Sequence, residues 1–99
     1  MYVILWEFRP RKGQETEFEK AYGPAGEWAR LFHLGTGYLG TELLRDSDGR
    51  YVTIDRWVSA DAFKNFRKQH AAEYEAVDHQ CELLTEVENL IGHFASIES

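Results

Sequence analysis

The sequence predicts an α+β domain in which an antiparallel sheet of four strands carries its helices on one face, in the order β-α-β-β-α-β. Short runs of β-favouring residues alternate with amphipathic segments of helical spacing, and the two middle runs are joined by the turn sequence Asp46-Ser47-Asp48-Gly49. The 99 residues have the size of one domain, so we expect a single domain over residues 1–99.

The first strand is predicted over residues 2–8, where charged and turn-forming residues end it. A helical pattern follows over residues 14–32, with apolar residues recurring every three or four positions. Gly23 and Pro24 interrupt this pattern. Because proline lacks an amide hydrogen and clashes with the preceding turn, we expect the helix to kink or restart at Pro24.

The second half of the chain is predicted to form a hairpin, a long helix and a last strand. The hairpin strands lie at residues 38–45 and 50–57. Ser59 is a favourable N-cap for the helix, whose apolar face has a break point near His70. The last strand is predicted over residues 86–94, which completes the element order of a ferredoxin-like fold.

Both faces of the predicted sheet carry apolar side chains. In the first strand Ile4 and Trp6 point to one face, whereas Val3 and Leu5 point to the other. A sheet covered by helices on one side only should be polar on its open side, so the pattern predicts that a second copy of the chain covers that side. Scattered apolar residues on a polar surface are the alternative. We therefore expect a homodimer.

Composition argues against several classes of partner. The net charge is −6, with 17 acidic against 11 basic residues, so nucleic acid is not an expected partner. No apolar run approaches the roughly 18 to 20 residues that span a bilayer, so no membrane association is expected. Cys81 is the single cysteine, and no leader pattern is seen at the N-terminus. These two features predict a cytoplasmic location.

Three stretches of the chain resemble the antibiotic biosynthesis monooxygenase (ABM) family. They are GYLGTELLR at residues 37–45, RYVTIDRWVS at residues 50–59, and the aromatic-rich helix that follows. Trp57 and Ser59 form the most recognisable pair. The resemblance implies a dimeric α+β barrel in which two sheets face each other and each chain has a pocket between sheet and helices. It also implies oxidation of a phenol or quinol without a cofactor.

Residues that support known activities of this family differ in this chain. Haem-degrading members carry an asparagine, a tryptophan and a histidine where this sequence has Phe8, Phe66 and Ala76, so haem binding or degradation is not favoured. Quinol-oxidising relatives often carry a histidine at the position of Phe66 and another close to Ala71, which only His70 approximates. The resemblance therefore identifies the fold and leaves the reaction open.

A cofactor-free oxygenase requires a base in an apolar cavity, because the substrate anion must donate an electron to dioxygen away from water. His70 is the first candidate base, since it lies on the apolar face of the long helix and histidine titrates near neutral pH. Tyr74, one turn later, could bind a substrate oxygen. His70 could instead be a hydrogen-bonded core histidine or a helix break exposed to solvent, and Tyr74 could cap the core with its hydroxyl in water, so these alternatives stay open.

Asp55 is the third candidate catalytic residue because it lies within an otherwise apolar strand. A buried carboxylate there would have a raised pKa and could act as a base or orient a histidine. A salt bridge with Arg45, or a charge pair at the dimer face, is the competing interpretation. The residues predicted to hold a small aromatic molecule are Tyr22, Trp28, Phe32, Trp57 and Phe66. Aromatic residues at core spacing are also typical of a plain core.

Metal and nucleotide sites find no support in the sequence. The four histidines are scattered, and the residues around Cys81 lack the spacing of a zinc site. No glycine-rich phosphate loop occurs, so no cofactor is expected. Two functions of different class remain. One is a cofactor-independent monooxygenase acting on a small aromatic or quinol-type compound, and the other is a non-catalytic dimeric module that binds a small ligand or serves a structural role.

Overall fold

Residues 1–98, which the computed structural model describes, form an antiparallel sheet covered by short helices on one face. The strand order β2-β3-β1-β4 places β1 and β3 at the centre, so the predicted fold class is confirmed. The elements in chain order are β1 (Tyr2–Pro10), α1 (Glu15–Tyr22), α2 (Glu27–Phe32), β2 (Tyr38–Arg45), β3 (Tyr51–Trp57), α3 (Ala60–Gln69), α4 (Ala71–Cys81) and β4 (Thr85–Ala95).

Each of the two predicted helical segments is divided in two. The first ends before Gly23 and restarts at Glu27, three residues later than the predicted restart at Pro24. Gly26 precedes the restart, and a Cβ atom at this position would collide with backbone carbonyl oxygens of the end of α1, so the tight connection requires glycine. The second break falls at His70, as predicted. No helix in the described part of the chain is long and apolar enough to cross a bilayer.

Ser59 caps α3, because its hydroxyl oxygen accepts a hydrogen bond from the Ala62 amide at 3.1 Å. We expect Ser59→Ala to lower the free energy of unfolding by about 1 kcal/mol, because one amide of the first turn loses its partner. Urea denaturation measures this change. Ser47→Ala, in the exposed hairpin turn, is the matched control and should change stability by less than about 0.5 kcal/mol. Equal effects from both variants would mean that the cap contributes nothing.

The hydrophobic core lies between the sheet and the helices. Trp57, Phe18 and Phe66 are its largest fully buried side chains. The ring centroids of Trp57 and Phe66 are 5.2 Å apart, and those of Phe18 and Tyr22 are 4.4 Å apart. Aromatic contacts at such distances stabilise the fold beyond the burial of apolar area alone. Much of the aromatic content of the chain therefore joins the sheet to the helices.

The opposite face of the sheet is apolar at its centre. Strand pairing sets Leu5 beside Ile54, and Val3 beside Phe94, on this side. The alternation predicted for the first strand is thus observed, with Ile4 and Phe8 buried under the helices instead. We call this side the open face, and its apolar residues are Val3, Leu5, Leu44, Val52, Ile54 and Phe94.

Candidate functional site

A cavity of about 470 Å³ lies between the sheet and the helices and opens to solvent. Its volume falls within the range of roughly 300 to 1,000 Å³ that is typical of small-molecule sites. Side chains from every strand and from all of the helices contribute to it. The lining residues are Trp6, Phe8, Tyr22, Trp28, Phe32, Thr41, Thr53, Asp55, Arg67, Tyr74, Asp78 and Glu88.

A second, wider depression of about 780 Å³ lies between the α1–α2 connection and the end of α4. Its lining includes residues 23–26, exposed charged residues such as Lys20 and Arg30, and the apolar Leu84, and it contains no aromatic residue. The one buried titratable side chain there is Cys81. We therefore place the candidate site in the smaller aromatic cavity.

Aromatic rings form much of the cavity wall. The Trp28 and Tyr74 rings meet edge to face with centroids 5.0 Å apart, and the Phe32 ring lies 5.9 Å from that of Trp28. On the sheet side, Trp6 and Phe8 are stacked with centroids 6.1 Å apart. Such a wall offers both ring faces and ring edges to a flat apolar ligand.

Three of the five aromatic residues predicted to hold a ligand, Tyr22, Trp28 and Phe32, line this cavity. The other two, Trp57 and Phe66, are 0% and 1% exposed and are not among the lining residues. They pack against each other and against Phe32 in the core. Their position indicates that they support the wall from behind.

Asp55 supplies a buried carboxylate to the cavity and is only 6% exposed. Burial raises the pKa of Asp55 from its ordinary 3.8 to about 6, although a hydrogen bond from Thr41 acts in the opposite direction. Thr41 Oγ1 donates to Asp55 Oδ1 at 2.7 Å. A buried carboxylate of this kind is a base that works near neutral pH.

The competing interpretations of Asp55 are not supported by its surroundings. The salt bridge with Arg45 is not formed, because Arg45 Nη1 lies 3.5 Å from Glu19 Oε2 instead. A charge pair at the dimer face is also wrong, because the register of β3 turns Asp55 toward the helices. The carboxylate therefore faces the cavity without a cationic partner among the described residues.

Tyr74 lines the cavity, and burial raises the pKa of its hydroxyl. The guanidinium carbon of Arg67 lies 3.7 Å from the centre of the Tyr74 ring in a cation–π contact, and the positive charge of Arg67 acts against this rise in pKa. The Tyr74 hydroxyl therefore stays protonated at neutral pH and can donate a hydrogen bond.

His70 is not among the residues that line the cavity. It lies at the junction of α3 and α4, where its Nδ1 is 2.6 Å from Glu73 Oε2 and its ring stacks on Phe66 with centroids 5.6 Å apart. The role of His70 as a base stays a prediction. Of the two candidate bases, Asp55 is the one that touches the cavity.

The edge of the cavity that faces β4 is acidic. Burial and the nearby carboxylate of Asp78 both raise the pKa of Glu88. Arg67 is the one cationic residue of the lining, and within residues 1–98 it forms no ion pair. This edge can therefore exchange hydrogen bonds with polar groups of a ligand while the inner part of the cavity stays apolar.

Several lining residues were not predicted from the sequence. The signal for Trp6 was available, since it shares a strand face with the buried Ile4 and Phe8. Arg67, Asp78 and Glu88 carried no such signal, because their place at the same cavity depends on how α3, α4 and β4 pack against one another and the sheet. Helical spacing identifies which face of a helix points inward, but it does not show where the packing of the helices leaves a cavity.

Two features of the described residues bear on metal and haem binding. Residues 1–98 contain no group of three or more histidine, cysteine, aspartate or glutamate side chains arranged to hold a metal ion. Of the residue types that bind a haem iron, the cavity lining has no histidine, cysteine or methionine, and it has the tyrosines Tyr22 and Tyr74. At the positions of the expected haem-degrading residues, Phe8 and Phe66 are buried and apolar.

The protein has a ferredoxin-like α+β fold with an aromatic cavity between its sheet and its helices. The model of the antibiotic biosynthesis monooxygenase family matches residues 1–77, and the chain belongs to this family. It is also 35% identical over 65 residues to the uncharacterized protein YqjZ of Bacillus subtilis. That match covers 63% of this chain and 54% of YqjZ, so it spans only about half the length of this curated relative.

Solved structures with a similar fold include SnoaB, a cofactor-independent oxygenase from Streptomyces nogalater. The TM-score is 0.79 at 23% identity, and the match covers 99% of this chain and 94% of SnoaB. Rv0793 from Mycobacterium tuberculosis has a TM-score of 0.66 at 19% identity and covers 99% and 96%. A mutant of MhuD with two manganese protoporphyrin IX bound per active site has a TM-score of 0.69 at 24% identity and covers 100% and 97%. These likenesses show that the fold is shared.

Proposed function

We propose that this protein is a cofactor-independent monooxygenase that oxidises a small aromatic compound of the quinol or anthrone type. The observation that carries the proposal is the buried Asp55 carboxylate, which faces an aromatic cavity of about 470 Å³ without a cationic partner. Membership of the ABM family and the fold shared with SnoaB support the same reaction class.

The first step is removal of a proton from the substrate by Asp55. With a pKa of about 6, this carboxylate is ionised at neutral pH and is a stronger base than an exposed aspartate. The acidic group of the substrate is a phenol, or a methylene group between an aromatic ring and a conjugated carbonyl. Deprotonation gives an electron-rich anion that the aromatic wall can hold.

Dioxygen is the oxidant. The substrate anion transfers one electron to dioxygen, and the two radicals combine into a peroxide, which takes a proton back from Asp55. The peroxide then loses its remaining C–H proton and its outer hydroxyl group as water. In balance, one dioxygen molecule supplies the oxygen of a new carbonyl group and the oxygen of one water molecule. The substrate supplies the two hydrogens of that water, either from one methylene group or from a phenol O–H and a ring C–H, so the protein supplies a base and an aromatic cavity but no electrons.

Tyr74 and the aromatic residues position the substrate. The protonated Tyr74 hydroxyl donates a hydrogen bond to a substrate oxygen, and Tyr22, Trp28 and Phe32 contact the rings. We assign Trp57 and Phe66 to the support of that wall. His70 remains a second candidate for the base, through a change in the α3–α4 junction that would bring it to the cavity.

A homodimer formed through the open face is part of the proposal. The six apolar residues of the open face are partly or largely exposed in one chain, and four of them lie on the two central strands of the sheet. A contiguous apolar patch of this kind marks an interaction surface. A second copy, with the same patch, is a self-complementary partner for it.

A ligand screen tests the proposal. Thermal unfolding is followed with quinols, polycyclic phenols, flavins and haem, and oxygen uptake is then measured with every compound that stabilises the protein. A ligand at 100 times its dissociation constant adds about 2.7 kcal/mol to the free energy of unfolding. We expect an aromatic compound to stabilise the protein and to be oxidised without added cofactor. Stabilisation without oxygen uptake would contradict catalysis and would favour the non-catalytic ligand-binding dimer.

A further inference from the structure

A chain of three hydrogen-bonded side chains runs from the edge strand β2 to Asp55. The Tyr38 hydroxyl is 2.5 Å from Thr41 Oγ1, and Thr41 Oγ1 donates to Asp55 Oδ1 at 2.7 Å. Thr41 lines the cavity beside Asp55, whereas Tyr38 is not among the lining residues and packs against His33, whose ring centroid is 4.8 Å away. These hydrogen bonds thus lead away from the cavity toward the edge of the sheet.

An irregularity in β2 makes this chain possible. Residues three positions apart in a regular strand point to opposite faces, so Tyr38 and Thr41 could not normally meet. A register shift between Tyr38 and Gly40 inserts one residue, after which Thr41 pairs with Asp55 on the helix side of the sheet. Gly40 has a φ of 135°, a conformation that favours glycine. Without the shift, Thr41 would lie opposite Ile54 on the open face.

The hydrogen bonds of the chain have a single direction when Asp55 is ionised. Thr41 has one hydroxyl hydrogen, which it donates in the hydrogen bond to the Asp55 carboxylate. The hydroxyl of Tyr38 must therefore be the donor in its hydrogen bond to Thr41. Burial raises the pKa of Tyr38, which keeps this donor protonated. Both hydroxyl groups are therefore aligned toward the negative charge, and aligned hydrogen bonds polarise one another.

We propose that Thr41 and Tyr38 are positioning residues that act in series on Asp55, holding its Oδ1 so that Oδ2 is left to take the proton of the substrate. Among residues 1–98, Oδ2 accepts no hydrogen bond, whereas Oδ1 accepts the bond from Thr41. The proposal deepens the proposed function and rests on it, because Asp55 is the base in both.

Other titratable groups surround the same cavity and could affect Asp55. They are Tyr22 of α1, Arg67 of α3, Tyr74 and Asp78 of α4, and Glu88 of β4. None of them is a hydrogen-bond or ion-pair partner of Asp55 in the described part of the chain. On β2, Thr41 and Tyr38 are the polar groups that face it, and burial with the Thr41 hydrogen bond accounts for its pKa.

A pH titration of the ligand-free protein tests whether Tyr38 acts on Asp55 through Thr41. Carbon NMR of the Asp55 side-chain carboxyl monitors the titration and gives the pKa of Asp55. Thr41→Val keeps the shape but removes the donor to the ionised form, so the pKa of Asp55 should rise by about one to two pH units. Tyr38→Phe should raise it by less, about half a pH unit. Thr41→Ser, which keeps the hydroxyl, should recover most of the original value.

The double variant decides whether the two hydroxyls act in series. With Thr41→Val in place, Tyr38→Phe should cause no further rise, because the link to Asp55 is already broken. If the two substitutions raise the pKa of Asp55 additively, Tyr38 does not act through Thr41. If Thr41→Val leaves the pKa of Asp55 unchanged, the hydrogen bond from Thr41 has no effect on Asp55 and the proposal is wrong. Thr41→Ala replaces Thr41→Val if the latter does not fold.

This readout needs no substrate, so it separates two failures. If the Asp55 pKa shifts by the expected amounts but the protein consumes no oxygen, the proposed function is wrong while the effect of Tyr38 and Thr41 on Asp55 still holds. Where oxygen uptake is present, the acid limb of the kcat/KM profile should move by the same amounts as the titration. A limb that does not move would overturn the positioning role.

Discussion

Asp55→Asn is expected to lower oxygen uptake on the order of 100-fold or more, while raising the free energy of unfolding by up to about 3 kcal/mol at about pH 8. The two effects have one cause. The carboxylate that serves as the base is buried at 6% exposure without a cation to offset its charge. Asparagine keeps an oxygen that can accept the Thr41 hydrogen bond, but it cannot take a proton from a substrate.

The sign of the stability effect follows from proton binding. The pKa of Asp55 is 3.8 when unperturbed and about 6 in the folded protein, so the folded state binds this proton more tightly than the unfolded chain. The contribution of this tighter proton binding to the free energy of unfolding is fully present below about pH 4 and is lost as the pH rises through about 6. Since one pKa unit corresponds to about 1.4 kcal/mol, the loss is about 3 kcal/mol. A neutral side chain avoids it.

Urea denaturation of the wild type and of Asp55→Asn at about pH 4 and about pH 8 measures the difference. The gain in stability should be present at the higher pH and nearly absent at the lower one. Asp48→Asn, in the exposed hairpin turn, is the matched control and should change stability by less than about 0.5 kcal/mol at either pH. A less stable Asp55→Asn at about pH 8 would contradict the burial of an ionised Asp55.

His70→Ala distinguishes the two candidate bases. If Asp55 is the base, oxygen uptake should fall further in Asp55→Asn than in His70→Ala, because His70 does not line the cavity. The opposite order would return the role of base to His70.

Leu5→Asp is expected to convert the proposed dimer into monomer or aggregate. Leu5 lies at the centre of the open face, between Ile54 of β3 and Gly92 of β4. A carboxylate buried there against a second copy would lack a partner, which costs several kcal/mol, about 3 or more. Val3→Asp, two positions along the same strand and on the same face, should act in the same way. Analytical ultracentrifugation measures the mass in solution.

Leu83→Asp is the matched control for the dimer, because Leu83 is 70% exposed in the turn before β4 and lies outside the sheet. This variant should sediment like the wild type. A stable dimer from both Leu5→Asp and Val3→Asp would contradict the assignment of the open face. A wild-type monomer would contradict the homodimer itself.

Local signals in the sequence were sufficient for the order of elements and for most of their ends. The predicted second strand matches β2 (Tyr38–Arg45), because glycines precede it and the turn at residues 46–49 ends it. Ser59 caps α3 as predicted, and both helix breaks occur, at the Gly23-Pro24 pair and at His70. Each of these features depends on residues close to one another in the chain.

The candidate site could be predicted only in part, because its contacts are distant in sequence. The sequence left Asp55 open between a buried position and a charge pair at the dimer face, and it could not predict that Thr41 would reach Asp55, since this requires the irregularity at Gly40. Phe66 and Trp57 were likewise predicted to hold a ligand, whereas both side chains are buried in the core. Whether an inward side chain lines a cavity or fills the core is decided by packing between elements, which periodicity does not encode.

The pH dependence of kcat/KM for oxygen uptake tests the central claim most directly. The wild type is assayed with an anthrone or quinol that stabilises the protein, in the presence of a metal chelator and without added flavin or haem. If Asp55 is the base, kcat/KM should rise about tenfold per pH unit below its pKa of about 6 and level off above it, and Asp55→Asn should lose this limb. A profile that is flat from about pH 5 to about pH 7, or uptake that requires an added cofactor, would contradict the account.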